Sequence, residues 1–225
     1  DEVTIQDFFA EAELMKKLRP HGNITQLYGV CAHPMCIVTE FVPNGNLSTW
    51  LLNQTRQIDD ATKIRIARGI AAGMFHLHSE GVIHRDLAAR NILLDANLNP
   101  KVSDFGMSRL SLEGQSNTTE SNIGPIKWMA PEALLDQVYN KKTDVWSYGV
   151  ILFEILTRKL PFETQNLIQV ANLVSQGKLT LVDEVVENES RYPAVLVATL
   201  KACLQFDPND RPEFAEIVKM LQPAD

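Results

Sequence analysis

The sequence predicts an α+β fold in which one helix and two strands precede a mostly helical remainder. Three observations carry this. A helical stripe near the start is followed by two short β-branched runs. Apolar residues then recur at three- and four-residue spacing over Ala61–Ser79. After residue 124, helical patterns dominate.

Residues 7–18 read as a helix, with Phe8, Ala12, Met15 and Leu18 on one stripe, Phe9 beside them, and Pro20 and Gly22 as the stop. Ile24–Val30 and Cys36–Phe41 carry the β-branched residues of short strands. Pro43-Asn44-Gly45 is a turn signal. In Ala61–Ser79, Ile64, Ala67, Ile70, Met74 and Leu77 make the apolar face, and Gly81 is placed to end the helix. Ile92–Leu94 and Lys101–Ser103 are short apolar pieces on either side of a polar turn, and residues 111–124 read as a polar loop. Helices are expected over Thr143–Thr157, Leu167–Gln176, Pro193–Leu204 and Pro212–Leu221.

A chain of 225 residues suits one large domain or two small lobes around a shared cleft. A net charge of −7 argues against a nucleic-acid surface, which needs clustered cations to neutralise phosphates. Cys31, Cys36 and Cys203 are odd in number and form no C-x-x-C pair, so neither a disulfide frame nor a zinc site is suggested, and structural roles in a reducing compartment are expected. Val145–Leu156 is the most apolar stretch, interrupted by Ser147, Tyr148 and Glu154, and is too short to span a bilayer.

The chemistry concentrates in three elements: His84-Arg85-Asp86-Leu87-Ala88-Ala89-Arg90-Asn91, then Asp104-Phe105-Gly106, then Ala130-Pro131-Glu132. Phosphoryl transfer to a hydroxyl concentrates negative charge, Mg²⁺ offsets it, and hard cations want oxygen ligands. Asn91 and Asp104 can supply such oxygens, while Asp86, on the same loop as Asn91, can face the incoming hydroxyl. In order and spacing these elements match the H-R-D-L-x-x-x-N, D-F-G and A-P-E of protein kinases. The chain resembles that family, within its tyrosine-kinase and tyrosine-kinase-like group, along essentially its whole length.

The resemblance implies a protein kinase fold, with residues 1–42 as a partial N-terminal lobe (the αC helix, two strands and the hinge) and 43–225 as the C-terminal lobe. It implies transfer of the ATP γ-phosphate to a protein hydroxyl, with ATP and Mg²⁺ as cofactors. Asp86, Arg90 and Asn91 would be catalytic, with Asp86 as general base or orienting group, and Asn91 and Asp104 would hold the metal. Glu11 would pair with the ATP-contacting lysine, Thr39 would be the gatekeeper, Glu40-Phe41-Val42 the hinge, and Leu93 would lie beneath the adenine. Met15, Leu27, His84 and Phe105 would stack as a spine, Asp144 would hold the catalytic loop, and Arg211 would pair with Glu132. His84 is thus structural, and His76 and His78 face different sides of their helix, against a metal site. Asp59, Asp60 and Glu187–Glu189 read as solvated surface, Asp136 and Asp207 as turn residues, and Thr118, Thr119 and Ser121 as either phosphorylation sites or plain polar loop.

Two features favour tyrosine as acceptor. The position two after Asp86 is Ala88 rather than the lysine of serine/threonine kinases, with Arg90 standing four after it, and Gly124-Pro125-Ile126-Lys127-Trp128-Met129 resembles the tyrosine-kinase loop that receives the substrate. Against them, no tyrosine lies between Asp104 and Glu132. A serine/threonine-specific tyrosine-kinase-like enzyme and a non-catalytic pseudokinase scaffold are the alternatives. The family's Gly-rich phosphate loop and strand lysine would precede the first helix, and residues 1–10 carry neither. The expectation is a segment of a longer kinase with little activity in isolation. Its partners would be ATP and a protein substrate, with no nucleic acid and no membrane segment in this chain, in the cytoplasm or the cytoplasmic portion of a receptor.

Overall fold

The computed structural model describes residues 9, 12–104, 109–110, 117–118 and 126–222, with backbone alone at 32, 35, 109–110 and 117–118. Glu11, Phe105, Gly106, Thr119, Ser121, Gly124 and Pro125 lie outside the described residues, as does the side chain of Thr118.

Residues 12–17 form helix α1, which turns Ala12, Leu14 and Met15 inward. Strands β1 (Leu27–Ala32) and β2 (Met35–Thr39) pair antiparallel, from Leu27 opposite Thr39 to Cys31 opposite Cys36 and Ala32 opposite Met35. β1 starts later than the β-branched run suggested because Ile24 and Thr25 pair elsewhere. Thr25 N–H donates to the Val102 carbonyl at 2.9 Å, and Val102 N–H donates to the Asn23 carbonyl at 2.8 Å. At the other end, β2 stops before Phe41, whose ring is 87% exposed.

Helix α2 (Leu47–Leu52) has too few residues to repeat an apolar period, so the sequence pattern carries no sign of it. It starts where the Asn46 side chain accepts the Thr49 N–H at 2.8 Å. Helix α3 (Asp60–Ser79) follows, and Asp59, read from sequence as mere solvated surface, is its N-cap. It accepts the Thr62 N–H at 2.8 Å, and bonding to Thr62 holds its carboxyl below the usual range. The helix ends at Gly81, whose φ of 76° is a left-handed conformation glycine adopts without strain.

Short strands then frame the loops: β3 (Val82–Ile83), β4 (Ile92–Leu94), β5 (Pro100–Val102), β6 (Arg109–Leu110) and β7 (Asn117–Thr118). β4 pairs with β5, and β3 with β6. Helix α4 (Pro131–Asp136) carries Pro at its first position, which suits a residue with no N–H to leave unpaired. β8 (Val138–Tyr139) pairs with β7.

Helix α5 (Lys141–Thr157) is the centre of the helical part. Residues 143–156 are all buried, because the apolar run of the sequence faces neighbours on every side. Tyr148 hydroxyl donates to the Ala67 carbonyl of α3 at 2.9 Å. Helices α6 (Leu167–Ser175), α7 (Val182–Val186), α8 (Ala194–Cys203) and α9 (Phe214–Met220) follow; α7 and α8 pack on α5, Phe214 of α9 meets Tyr148 edge-on with ring centroids 5.4 Å apart, and α6 packs on α4. α8 approaches so closely that a Cβ on Gly149 would lie 2.8 Å from Leu204. Among the described residues no helix is long and apolar enough to cross a membrane.

Candidate active site

The β4–β5 hairpin sets the site's geometry. Ile92 faces Val102, and one step beyond that rung Ser103 N–H donates to the Asn91 carbonyl at 2.9 Å. The loop ending at Asn91 and the loop opening at Asp104 are thereby held side by side. Ile92 and Leu94 are fully buried, so the intervening Leu93 points to the opposite face of the ladder.

The loop before β4 is built around Asp144 on α5. This buried carboxylate accepts the backbone N–H of His84 at 2.9 Å and of Arg85 at 3.0 Å, and the His78 ring nitrogen Nε2 lies 2.8 Å from it. Burial pushes its pKa up, but the bond from His78, the charges of His78 and His84 and the backbone donors outweigh this, and the carboxyl sits below its usual value. His84 is itself buried. Asp86 N–H donates to its Nδ1 at 3.3 Å, which leaves Nε2 to donate to the Ser103 carbonyl at 3.1 Å. His84 thus joins the two loops structurally, and His76 and His78 do face apart: His76 stacks on His21 with centroids 4.8 Å apart. Arg85 has φ 68° and lies 5.4 Å over the Tyr139 ring.

Asp86, Arg90 and Asn91 form one bonded group. Asn91 Nδ2 donates to the Asp86 carbonyl at 2.7 Å and to its Oδ2 at 2.9 Å, and Arg90 Nη2 pairs with Oδ1. The Asn91 amide therefore presents its Nδ2 to Asp86 and keeps its oxygen for another partner. Asp104 is exposed, with φ 63°. An amide oxygen and a carboxylate on adjoining loops form an oxygen donor set of the kind Mg²⁺ takes, with water and phosphate oxygens to complete it. Among the described residues no three His, Cys, Asp or Glu side chains cluster as a metal site by themselves.

Of the expected nucleotide residues, Thr39, Glu40, Val42 and Leu93 lie within the described residues. Thr39 ends β2. Glu40 N–H donates to the Gln26 carbonyl at 2.9 Å, while its carboxylate accepts the Gln26 N–H at 2.8 Å and meets Lys101 Nζ at 2.9 Å. Val42 is buried, and Leu93 lies across a bridge from Asn46. Met15 and His84 are buried and Leu27 partly so.

Sequence reading missed Glu154 and underrated Trp128. Arg90 lies 5.1 Å over the Trp128 ring, and Trp128 Nε1–H donates to Glu154 Oε2 at 2.9 Å. Burial raises Glu154 to about 7, against the opposing effect of bonds from Trp128 and the Ala89 N–H and of the Arg90 charge. The available signal was a lone carboxylate in the most apolar stretch of the chain. The expected pair of Arg211 and Glu132 is present and bidentate, at 2.6 and 2.9 Å, with Arg211 fully buried and stacked 5.0 Å from Trp146.

Comparison with known proteins shows the family of the chain. The model of the family "Protein tyrosine and serine/threonine kinase" matches residues 1–221. The chain is 37% identical over 219 residues to mouse tyrosine-protein kinase TXK, covering 96% of this chain and 40% of that protein. It is 37% identical over 220 residues to Arabidopsis thaliana serine/threonine-protein kinase STY46, covering 96% and 37%. It is also 37% identical over 229 residues to the Arabidopsis serine/threonine/tyrosine-protein kinase HT1, covering 98% and 55%. The chain thus spans roughly 37–55% of the length of these relatives. With an α+β fold and a helix-rich C-terminal part, the chain belongs to the protein tyrosine and serine/threonine kinase family.

Proposed function

We propose that this chain is the catalytic core of a protein kinase, transferring the ATP γ-phosphate to a protein hydroxyl, with tyrosine the preferred acceptor. The observation that carries the reading is the bonded group of Asp86, Arg90 and Asn91, set by a shared hairpin beside Asp104. Asp86 orients the acceptor hydroxyl and takes its proton as the new P–O bond forms and the bond from the γ-phosphorus to the bridging oxygen breaks, releasing ADP, and its own carboxylate is held in place by Arg90 and Asn91. Asn91 and Asp104 would hold Mg²⁺, which when bound offsets phosphate charge. Thr39, the backbone of Glu40 and Val42, and Leu93 would line the adenine side, with Glu11 as partner of the ATP-contacting lysine. On this reading residues 1–42 and 43–225 belong to the two lobes.

Tyrosine is favoured by Ala88 in place of a lysine and by the seat of Arg90, which bridges Asp86 and the ring of Trp128 in the substrate-receiving loop. Serine/threonine specificity is the second reading, favoured by the equal identity to STY46 and HT1. Phosphorylation of a degenerate peptide library by the full-length protein, with phosphoamino-acid analysis, distinguishes them. Phosphotyrosine should dominate. Phosphoserine and phosphothreonine alone would reverse the preference while leaving the kinase assignment intact.

A further inference from the structure

Three thiols occur in the chain, and they stand in different surroundings. Cys203 is sealed in the core, where burial pushes its thiol far above the usual range. A cysteine serving as a small buried hydrophobe accounts for it. That role does not account for Cys36, which is exposed, or for its position. Cys31 and Cys36 are direct partners across the β1–β2 ladder, on the same face of the hairpin, and both thiols are free.

The register makes the pair chemically competent. Opposed residues in an antiparallel ladder lie about 4.5–5.5 Å apart at Cα, whichever rung they occupy. A disulfide accepts about 4.4–6.8 Å at Cα and about 3.5–4.5 Å at Cβ. The strands need to draw in by about 1 Å or less at Cβ. The Cys31 thiol donates to the His33 carbonyl at 3.3 Å, so it must leave that bond and turn toward Cys36.

We propose that Cys31 and Cys36 form a redox modification site, closed by a peroxide to a cross-strand disulfide and reopened by a dithiol. One thiolate attacks a peroxide oxygen. The O–O bond breaks, the sulfur becomes a sulfenic acid, and the departing hydroxide takes up the thiol's proton and leaves as water. The second thiolate attacks that sulfur, the S–S bond forms, and the expelled hydroxide leaves as water with the second thiol's proton. Two electrons pass from the two sulfurs to the peroxide. β2 carries the modified residue three positions before Thr39, so the bridge lies on the strand leading into the proposed nucleotide side. The site itself does not depend on the kinase reading.

The test treats full-length protein with dilute hydrogen peroxide, blocks remaining thiols with iodoacetamide, and reads digests by mass spectrometry. The peptide holding both residues should be lighter by two hydrogens and unalkylated, and should take two labels after dithiothreitol. The Cys203 peptide should be unchanged between treated and untreated samples. Cys31→Ser and Cys36→Ser should each abolish the lighter species and leave the remaining thiol to gain oxygen. Undiminished alkylation of both thiols after peroxide, or added oxygens with no lighter peptide in the wild type, would overturn the proposal. So would equal cross-linking in urea-unfolded protein, since the ladder would then play no part.

Discussion

Asp86 illustrates how far a single side chain can be determined by its neighbours. One carboxylate oxygen meets Arg90 and the other accepts from Asn91, so the side chain is fixed before any substrate arrives. Replacing it by Asn should leave nucleotide binding in place and cut kcat by about 10²–10⁴-fold, as expected for loss of a group that moves a proton. Steady-state kinetics alongside nucleotide titration of the full-length enzyme checks both halves; unchanged kcat would remove Asp86 from its role. This residue was readable in the sequence because its loop motif has fixed spacing. Glu154 was legible only as a lone carboxylate in an apolar run, and its role was not, because its partners, Trp128 and the Ala89 N–H, come from distant loops.

Among elements, α5 and the short α4 show what pattern reading finds and what it misses. The long helices α3 and α5 announced themselves by periodicity and by an unbroken apolar run. α2, α4 and α7 span one or two turns, too few to establish a period, and are held by caps and by packing. β1 was misplaced by three residues because its β-branched neighbours are spent on β5. The link from α4 to the segment before α9 is an ion pair, and it was legible only through family resemblance. Arg211 is fully enclosed and its guanidinium also donates to the carbonyls of Gln205, Phe206 and Lys142. Changing Arg211 to Leu should lower unfolding free energy by about 3–5 kcal/mol, since Glu132 and three carbonyls lose their donor. Changing Glu132 to Leu as well should recover part of that loss, and urea denaturation of the two variants measures both.

For the molecule as a whole, the buried carboxylates give opposite pH signatures. Asp144 has a lowered pKa, so its stabilisation is full above the unfolded value of 3.8 and is lost as pH falls through the folded one. Glu154 runs the other way. Its pKa rises from 4.5 to about 7, the native state holds the extra proton between those values, and stability falls as pH rises through that window. The full effect is about 3 kcal/mol between pH 4.5 and 7. Glu154→Gln should flatten that slope, read from urea midpoints at successive pH values. An unchanged slope would place the titration elsewhere.

The same helix that carries Asp144 also carries Ser147, which donates to the Trp128 carbonyl at 2.8 Å, and Glu154, which holds the Trp128 ring. Three polar side chains of one rod thus reach two separate loops, and the rod itself is enclosed on all sides. A chain that loosened only its rim would keep both loops anchored, whereas one that released this rod would free the loop at His84 and Arg85 and the loop at Trp128 in a single event. Opening of this helix therefore unfastens both loops together.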